Sequence, residues 1–185
     1  MRQWIGGMLF ACVALGASGA EIGGVKLDDK ATVGGQELVL NGAGIRTRAI
    51  FKVYVGSLYV PLKATSLAAV LATAPRRVQL NLLRNLSADQ LVDALIDGLK
   101  ENTTDAEFAS IKRETDQLVS IMKSFGEVKE GTVVTLDFVD NETRIAQNGQ
   151  AKGAVAGEAF NQALTRVWLG DKPVQADLRK AMLGG

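Results

Sequence analysis

The chain contains no histidine, one cysteine and few aromatic residues, and these absences exclude several kinds of chemistry. Cys12 lies in an amino-terminal segment that has the features of a removable leader, so the remaining chain has neither cysteine nor histidine. A Ser-His-Asp triad, a thiolate nucleophile and zinc sites built on histidine or cysteine are therefore impossible there. The GxxxxGK[ST] phosphate-binding loop and the dinucleotide-binding glycine fingerprint are also missing. The sequence predicts no cofactor, no metal site and no disulfide bond.

The amino-terminal segment has the pattern of a secretory signal peptide. Arg2 supplies the positive start, residues 4–15 are almost wholly apolar or glycine, and residues 17–20 are small. Small residues at that point suit a signal peptidase. We predict a signal peptide over residues 1–20, with cleavage between Ala20 and Glu21.

Cleavage would leave residues 21–185 as one exported domain of balanced charge. Removal of Arg2 leaves 20 basic and 20 acidic residues, so net charge indicates neither nucleic acid nor an anionic membrane as a partner. A retained membrane anchor is disfavoured because the apolar run is short. Lipid attachment at Cys12 is disfavoured because Phe10 fits a lipoprotein signal poorly. No later apolar stretch is long enough to span a membrane. We expect a periplasmic or secreted protein.

The order of predicted elements favours an α+β fold. Strands are predicted at 37–40, 46–62, 77–83, 132–139, 143–147 and 150–155. Helices are predicted at 66–72, 87–100, about 105–125, 157–169 and 173–183. Strands and helices do not alternate regularly, so the pattern indicates a mainly antiparallel sheet with helices gathered on one face.

The segment 41–60 combines apolar strand-forming residues with isolated cations. Gly42 and Gly44 predict a turn or bulge, after which a long strand begins. Charged groups inside an apolar strand are costly to bury without partners, which makes Arg46 the first candidate for ligand binding. In one straight strand Arg46 and Tyr54 would lie about 26 Å apart, so they can share a ligand only if the backbone bends between them.

Four motifs in chain order resemble the chalcone isomerase superfamily in its bacterial, isomerase-like branch. They are GAGIR at 42–46, KVYVGSLYV at 52–60, LRNLS at 83–87 and VWLGDKPV at 167–174. The resemblance implies an open-faced β-sandwich, in which a layer of helices covers a large antiparallel sheet and leaves a cleft between them. It also implies one of two functions, namely chalcone isomerisation, as in plant enzymes, or non-catalytic fatty-acid binding, as in their plastid relatives.

The same resemblance assigns roles to individual residues. The catalytic arginine of the plant enzymes falls on Arg46 and their threonine on Tyr54. Their tyrosine and asparagine fall near Leu91 and Gly98. Because leucine cannot donate a hydrogen bond to a ketone, this chain departs from the isomerase pattern. The fatty-acid-binding branch holds a carboxylate with an arginine and a tyrosine, which Arg46 and Tyr54 would match.

We therefore predict an exported, non-catalytic binder of a fatty acid or a similar amphipathic anion. Arg46 and Tyr54 would bind the anionic group, and Leu91, Leu95 and Phe160 would line a dry slot for the tail. Two alternatives stay open. One is an isomerase of the intramolecular lyase type, acting on an unknown enone-like substrate with Arg46 as the electrostatic catalyst. The other is a structural or partner-binding envelope protein with a closed cleft.

The candidate side chains also have purely structural interpretations. Arg46 could satisfy backbone carbonyls at a turn or pair with a carboxylate such as Asp93 or Asp97. Tyr54 could be a core residue with its hydroxyl at the margin. Trp168 is expected to fill the core where its helix ends.

Overall fold

The structure is a computed structural model that describes residues 19–185, so all but the last two positions of the predicted signal peptide lie outside the described residues. The strands are β1 (Glu21–Ile22), β2 (Val25–Lys26), β3 (Lys30–Val33), β4 (Gln36–Arg48), β5 (Phe51–Val60), β6 (Arg76–Leu82), β7 (Leu86–Ser87), β8 (Glu127–Val128), β9 (Val133–Val139), β10 (Glu142–Gln147) and β11 (Gln150–Ala156). The helices are α1 (Leu67–Leu71), α2 (Ala88–Glu101), α3 (Asp105–Ser110), α4 (Lys112–Lys123), α5 (Glu158–Leu169) and α6 (Ala176–Met182).

Seven strands form one antiparallel sheet in the order β11-β10-β9-β6-β5-β4-β3. The sheet is curled and helices pack on one side of it, which confirms the predicted α+β fold. The main core lies between the two layers, where Leu58 and Leu136 of the sheet belong to the same buried cluster as Leu99 and Leu164 of the helices. In the described part of the chain, no helix is both long enough and apolar enough to cross a membrane.

The predicted long strand over residues 46–62 is wrong, because the chain reverses direction inside it. Strands β4 and β5 form an antiparallel hairpin in which Arg48 pairs with Phe51, leaving Ala49 and Ile50 as the two turn residues. Ala49 has a left-handed backbone with φ of 53°, a conformation that costs a non-glycine residue about 1 kcal/mol. Two-residue hairpin turns usually carry Asn, Asp or Gly, and this turn lacks that signal.

Of the turn or bulge predicted at Gly42 and Gly44, the structure has the bulge and not the turn. Strand β4 continues through both glycines, with a register shift between Leu40 and Gly42. The glycines are needed because α6 lies directly on the strand. A Cβ on Gly42 would lie 2.1 Å from the carbonyl oxygen of Ala181, and one on Gly44 would lie 2.9 Å from the Ala181 Cβ. A side chain at either position would push the helix away from the sheet.

The capped helices begin where the sequence predicts, but α6 begins at Ala176 and not at Pro173, and one predicted helix is divided. Ser87 and Thr104 form the capping boxes of α2 and α3, which satisfy amide groups that would otherwise lack partners. The single helix expected over about 105–125 is divided at Ile111, where φ of −105° and ψ of 13° interrupt the helical geometry. Ile111 is buried, so the change of direction keeps this side chain in the core.

Candidate functional site

A cleft of about 780 Å³ opens between the sheet and helix α2. Its volume is within the range typical of small-molecule sites, about 300–1,000 Å³. Most of its lining is apolar and comes from both layers: Phe51, Val53, Leu80, Leu86, Leu91, Ala94, Leu95, Met122, Val134, Leu136, Ile145, Val167, Trp168, Pro173 and Val174. The polar and charged lining residues are Arg46, Arg48, Tyr54, Arg84, Gln90, Asp93, Asp97, Glu101 and Lys172. The cleft can therefore hold an elongated ligand with an apolar body.

The cleft floor crosses five neighbouring strands. It begins at Arg46 on β4 and Tyr54 on β5, passes Leu80 on β6, and ends at Leu136 on β9 and Ile145 on β10. Adjacent strands lie about 4.8 Å apart, so four intervals give a floor of about 19 Å. Arg46 and Tyr54 stand at one end of this floor, whereas Leu136 and Ile145 at the other end are apolar.

The hairpin makes Arg46 and Tyr54 directly opposed residues of neighbouring strands. Opposed Cβ atoms on one face of an antiparallel pair lie about 5 Å apart, in place of the 26 Å expected for one straight strand. The register shifts at the next pair, in which Thr47 lies opposite Lys52. Val53 is therefore an extra residue in β5 and forms a bulge. Val53 and Tyr54 are adjacent in sequence, yet both line the cleft.

Arg46 is half-buried and is oriented by backbone and amide groups. Its Nη1 donates to the Thr47 carbonyl oxygen at 2.5 Å and to Oε1 of Gln175 at 3.3 Å. The Gln175 side chain also accepts from the Thr47 amide and donates to the Ile45 carbonyl, so it clamps the strand beside the arginine. The alternative in which Arg46 satisfies backbone carbonyls is therefore correct in part, since one of its two acceptors is the Thr47 carbonyl oxygen.

No carboxylate within residues 19–185 forms an ion pair with Arg46, including Asp93 and Asp97. The alternative in which one of these aspartates neutralises Arg46 is therefore wrong. The hydrogen bonds that Arg46 makes with the described part of the chain use Nη1 alone. A guanidinium has five N–H groups, so donors remain at the cleft for an anionic ligand.

Tyr54 is buried against Trp168, whose Nε1 donates a 3.0 Å hydrogen bond to the tyrosine hydroxyl oxygen. With its oxygen already accepting, the hydroxyl keeps its own hydrogen for a ligand in the cleft. Burial raises the pKa of Tyr54 above its ordinary value, against smaller lowering effects of the Trp168 hydrogen bond and the Arg46 charge. The phenol is therefore a neutral donor near neutral pH.

The structure brings four of the five predicted site residues together. Leu91 and Leu95 line the cleft on α2, alongside Arg46 and Tyr54. Phe160 does not line it, so that prediction is wrong. This side chain is 1% exposed within the core, two helical turns before the part of α5 that faces the cleft.

Trp168 is a site residue that the sequence interpretation missed. It is 2% exposed, as expected for a core residue, but it also lines the cleft and holds Tyr54. The sequence did contain a clue to this role. A buried indole N–H needs a hydrogen-bond acceptor, and few acceptors lie in an apolar core.

The two sides of the cleft mouth carry charges of opposite sign. Cations of the sheet side are Arg46, Arg48 and Arg84, and carboxylates of α2 are Asp93, Asp97 and Glu101. Of these six, only Glu101 forms an ion pair in the described part of the chain, with Lys172 at 3.4 Å. An anionic group entering the cleft is therefore attracted to the sheet side and repelled by α2.

A separate buried cation, Arg76, joins β6 to α5 outside the cleft. It donates to the Thr73 carbonyl and to the side chains of Asn161 and Thr165, and its guanidinium lies 4.8 Å from the centre of the Phe138 ring. Burial lowers its pKa to about 10, and the charge of Glu158 opposes that effect. Because its Nη1 and Nη2 groups bond protein atoms and it does not line the cleft, we interpret Arg76 as structural.

Among residues 19–185, no group of three or more His, Cys, Asp or Glu side chains is arranged to hold a metal ion.

The fold and the cleft define a protein with a helix-covered antiparallel sheet and a ligand-sized apolar slot. A family profile described as chalcone isomerase-like matches residues 19–184, and the chain belongs to that family. The crystal structure of a fatty-acid binding protein from Arabidopsis thaliana is similar, with a TM-score of 0.66 and 12% identity over 86% of this chain and 92% of that one. At this identity the similarity shows a shared fold. A search of curated proteins found no significant match.

Proposed function

We propose that this protein is a non-catalytic carrier or store of a fatty acid or a similar amphipathic anion. Arg46 and Tyr54 bind the anionic group, and the apolar floor holds the tail. The observation that carries the proposal is the pairing of these two side chains at the polar end of an apolar cleft, with no carboxylate neutralising Arg46 within residues 19–185.

The chemistry of the anchor suits a carboxylate. The guanidinium supplies charge-assisted hydrogen bonds, and the neutral Tyr54 hydroxyl supplies one more. Gln175 and Trp168 hold these two groups before any ligand arrives, which reduces the ordering cost of binding. The tail contributes through burial, about 0.8 kcal/mol for each methylene removed from water.

The isomerase alternative receives less support from the cleft. Leu91 and Gly98, onto which the family resemblance aligns a tyrosine and an asparagine of the plant enzymes, both line it. Neither side chain can polarise a ketone or position water. The end of the floor away from Arg46 is apolar, whereas a catalytic site for an enone-like substrate needs polar groups around the reacting atoms.

The envelope-protein alternative assumed that the cleft is packed shut. The open volume of about 780 Å³ beside Arg46 argues against that assumption and supports a ligand-binding role.

We also propose that the protein is a bacterial member of its family that acts in the periplasm after removal of residues 1–20. The support is the charged start, apolar run and small residues of the leader. The intact mass of the protein recovered from the periplasm tests this, since a chain beginning at Glu21 is expected. A mass that includes the leader would contradict it.

Native mass spectrometry of protein purified from its own compartment tests the binding function. We expect an adduct with the mass of a fatty acid or related anion, present in the wild type and lost in Arg46→Ala. Arg113→Ala is the matched control, because Arg113 is highly exposed on α4 and does not line the cleft. A wild-type protein free of adducts that also fails to take up added fatty acid would refute the proposal.

A further inference from the structure

The tip of the β4–β5 hairpin exposes apolar side chains at the mouth of the cleft. Ile50 is 86% exposed and Phe51 is 53% exposed, and with Leu62 they are the exposed large apolar side chains of the described residues. Single exposed apolar residues are ordinary on protein surfaces. Two adjacent ones on a turn that also contains Ala49, beside an apolar cleft, call for a partner.

The same tip is strongly basic. Arg48, Lys52 and Arg84 are exposed, and none forms an ion pair with a carboxylate in residues 19–185. The Arg84 guanidinium lies 4.7 Å from the centre of the Phe51 ring, which joins the cations to the apolar pair. The segment 41–60 contains no acidic residue. The balanced charge of the whole chain conceals this local cluster.

We propose that the hairpin tip docks onto an anionic lipid bilayer and presents the cleft mouth to it. The apolar pair would enter the interfacial region while the surrounding cations meet lipid headgroups, the combination by which peripheral proteins bind such surfaces. This inference extends the proposed function, because a bilayer is where an amphipathic ligand would be collected or released.

The dimensions of the tip favour a bilayer over a protein partner. A stable protein interface needs about 800 Å² on each side, with a packed apolar centre. A turn with two exposed apolar residues is much smaller than that, whereas interfacial insertion needs only a protruding apolar tip and nearby cations.

The opposite rim of the cleft determines the direction of approach. Asp93 and Asp97 of α2 are exposed there and carry the same sign of charge as the lipids. The docked protein therefore leans on the hairpin, with α2 tilted away from the surface. Phe51 belongs to both the tip and the cleft lining, so a ligand leaving the slot would pass along this ring to the bilayer.

Vesicle sedimentation tests the proposal with residues that do not line the cleft. We expect the mature protein to pellet with vesicles of roughly one-third phosphatidylglycerol and two-thirds phosphatidylcholine. It should stay largely in solution with phosphatidylcholine alone. Lys52→Glu should weaken binding more than about fivefold, since one cation near the surface corresponds to about 1 kcal/mol. Ile50→Asp should weaken it at least as much.

Leu62→Asp is the matched control, because Leu62 is 75% exposed but lies beyond the opposite end of β5, about 30 Å from the tip. It should pellet like the wild type. A wild-type protein that ignores anionic vesicles, or equal losses in Ile50→Asp and Leu62→Asp, would overturn the proposal.

Binding of dansyl-labelled undecanoic acid in vesicle-free buffer separates docking from ligand binding. Ile50→Asp should bind this probe like the wild type while losing vesicle binding. If the wild type binds vesicles through Ile50 but does not bind the probe, the proposed carrier function fails and docking stands. If the probe binds and vesicles do not, docking fails and the carrier function stands.

Discussion

Replacement of Arg46 by glutamine tests the anionic anchor without removing the bulk of the side chain. Glutamine keeps a donor that can reach toward the Thr47 carbonyl, but it has no charge and cannot make a bidentate contact with a carboxylate. A hydrogen bond to a charged group contributes about 2–3 kcal/mol net. Affinity for a fatty acid should therefore fall about 30- to 150-fold.

The assay is calorimetric titration with a fatty acid and with the fatty alcohol of the same tail. The wild type should prefer the acid, and Arg46→Gln should bind the two ligands with similar affinity. Arg113→Gln should behave as the wild type, because this exposed side chain does not line the cleft and, among the described residues, its ion pair is with Glu114.

A second substitution shows whether Arg46 and Tyr54 act on the same ligand group. Tyr54→Phe should weaken binding of the acid about 5- to 10-fold, since it removes one hydrogen bond of about 1–1.5 kcal/mol. In the double variant the two losses should not add, because contacting groups that share a partner are coupled by about 0.5–3 kcal/mol. Unchanged preference for the acid in Arg46→Gln, or full additivity, would refute the anchor.

Three further predictions follow from the described contacts. Shortening the ligand tail by two methylenes should weaken binding about 15-fold, and a chain-length series that shows no trend would contradict an apolar slot. Gly42→Ala should lower the free energy of unfolding by more than about 2 kcal/mol in urea titration, because the new Cβ would meet the Ala181 carbonyl oxygen at 2.1 Å. The folded-state pKa of Tyr54 is raised, so its contribution to stability is complete below the unfolded value, about 10, and is lost as pH rises through the folded value. Tyr54→Phe should therefore reduce the alkaline loss of stability relative to the wild type, and equal curves for the variant and the wild type would contradict this assignment.

Local sequence rules predicted most of the helices and strands because those elements carry their own signals. Strand β6 alternates apolar and polar residues, and this alternation predicted which face of the strand is buried. Ser87 and Thr104 carry side chains that satisfy the first amides of α2 and α3. These features depend on residues within four positions of each other, which is the range that a local pattern can report.

The hairpin could not be predicted in the same way. Ala49 and Ile50 have no preference for a tight turn, and Ala49 adopts a strained φ that nothing nearby in the sequence favours. The turn is maintained by pairing of β4 with β5 over most of their length and by β6 on the other side of β5. Many interstrand hydrogen bonds outweigh one unfavourable backbone conformation.

Gly42 and Gly44 show a related difference. In sequence they predict a turn or bulge, because glycine permits unusual backbone angles. In the structure they leave space for α6, which comes from the other end of the chain and contacts β4 across more than 130 residues. The need for a small residue was visible, but its cause was a distant helix.

The sequence by itself determined the alternating strands, the capped helices, the family and Arg46 as an isolated cation in an apolar segment. It also excluded chemistry that requires histidine or cysteine in residues 21–185. The tertiary structure decided what Arg46 faces, since only strand pairing opposes it to Tyr54 and only packing of α5 brings Trp168 to that hydroxyl. The physical reason is range. Propensity and capping act over a few residues, whereas the site joins positions 46, 54, 168 and 175, which meet only when the sheet and helices pack.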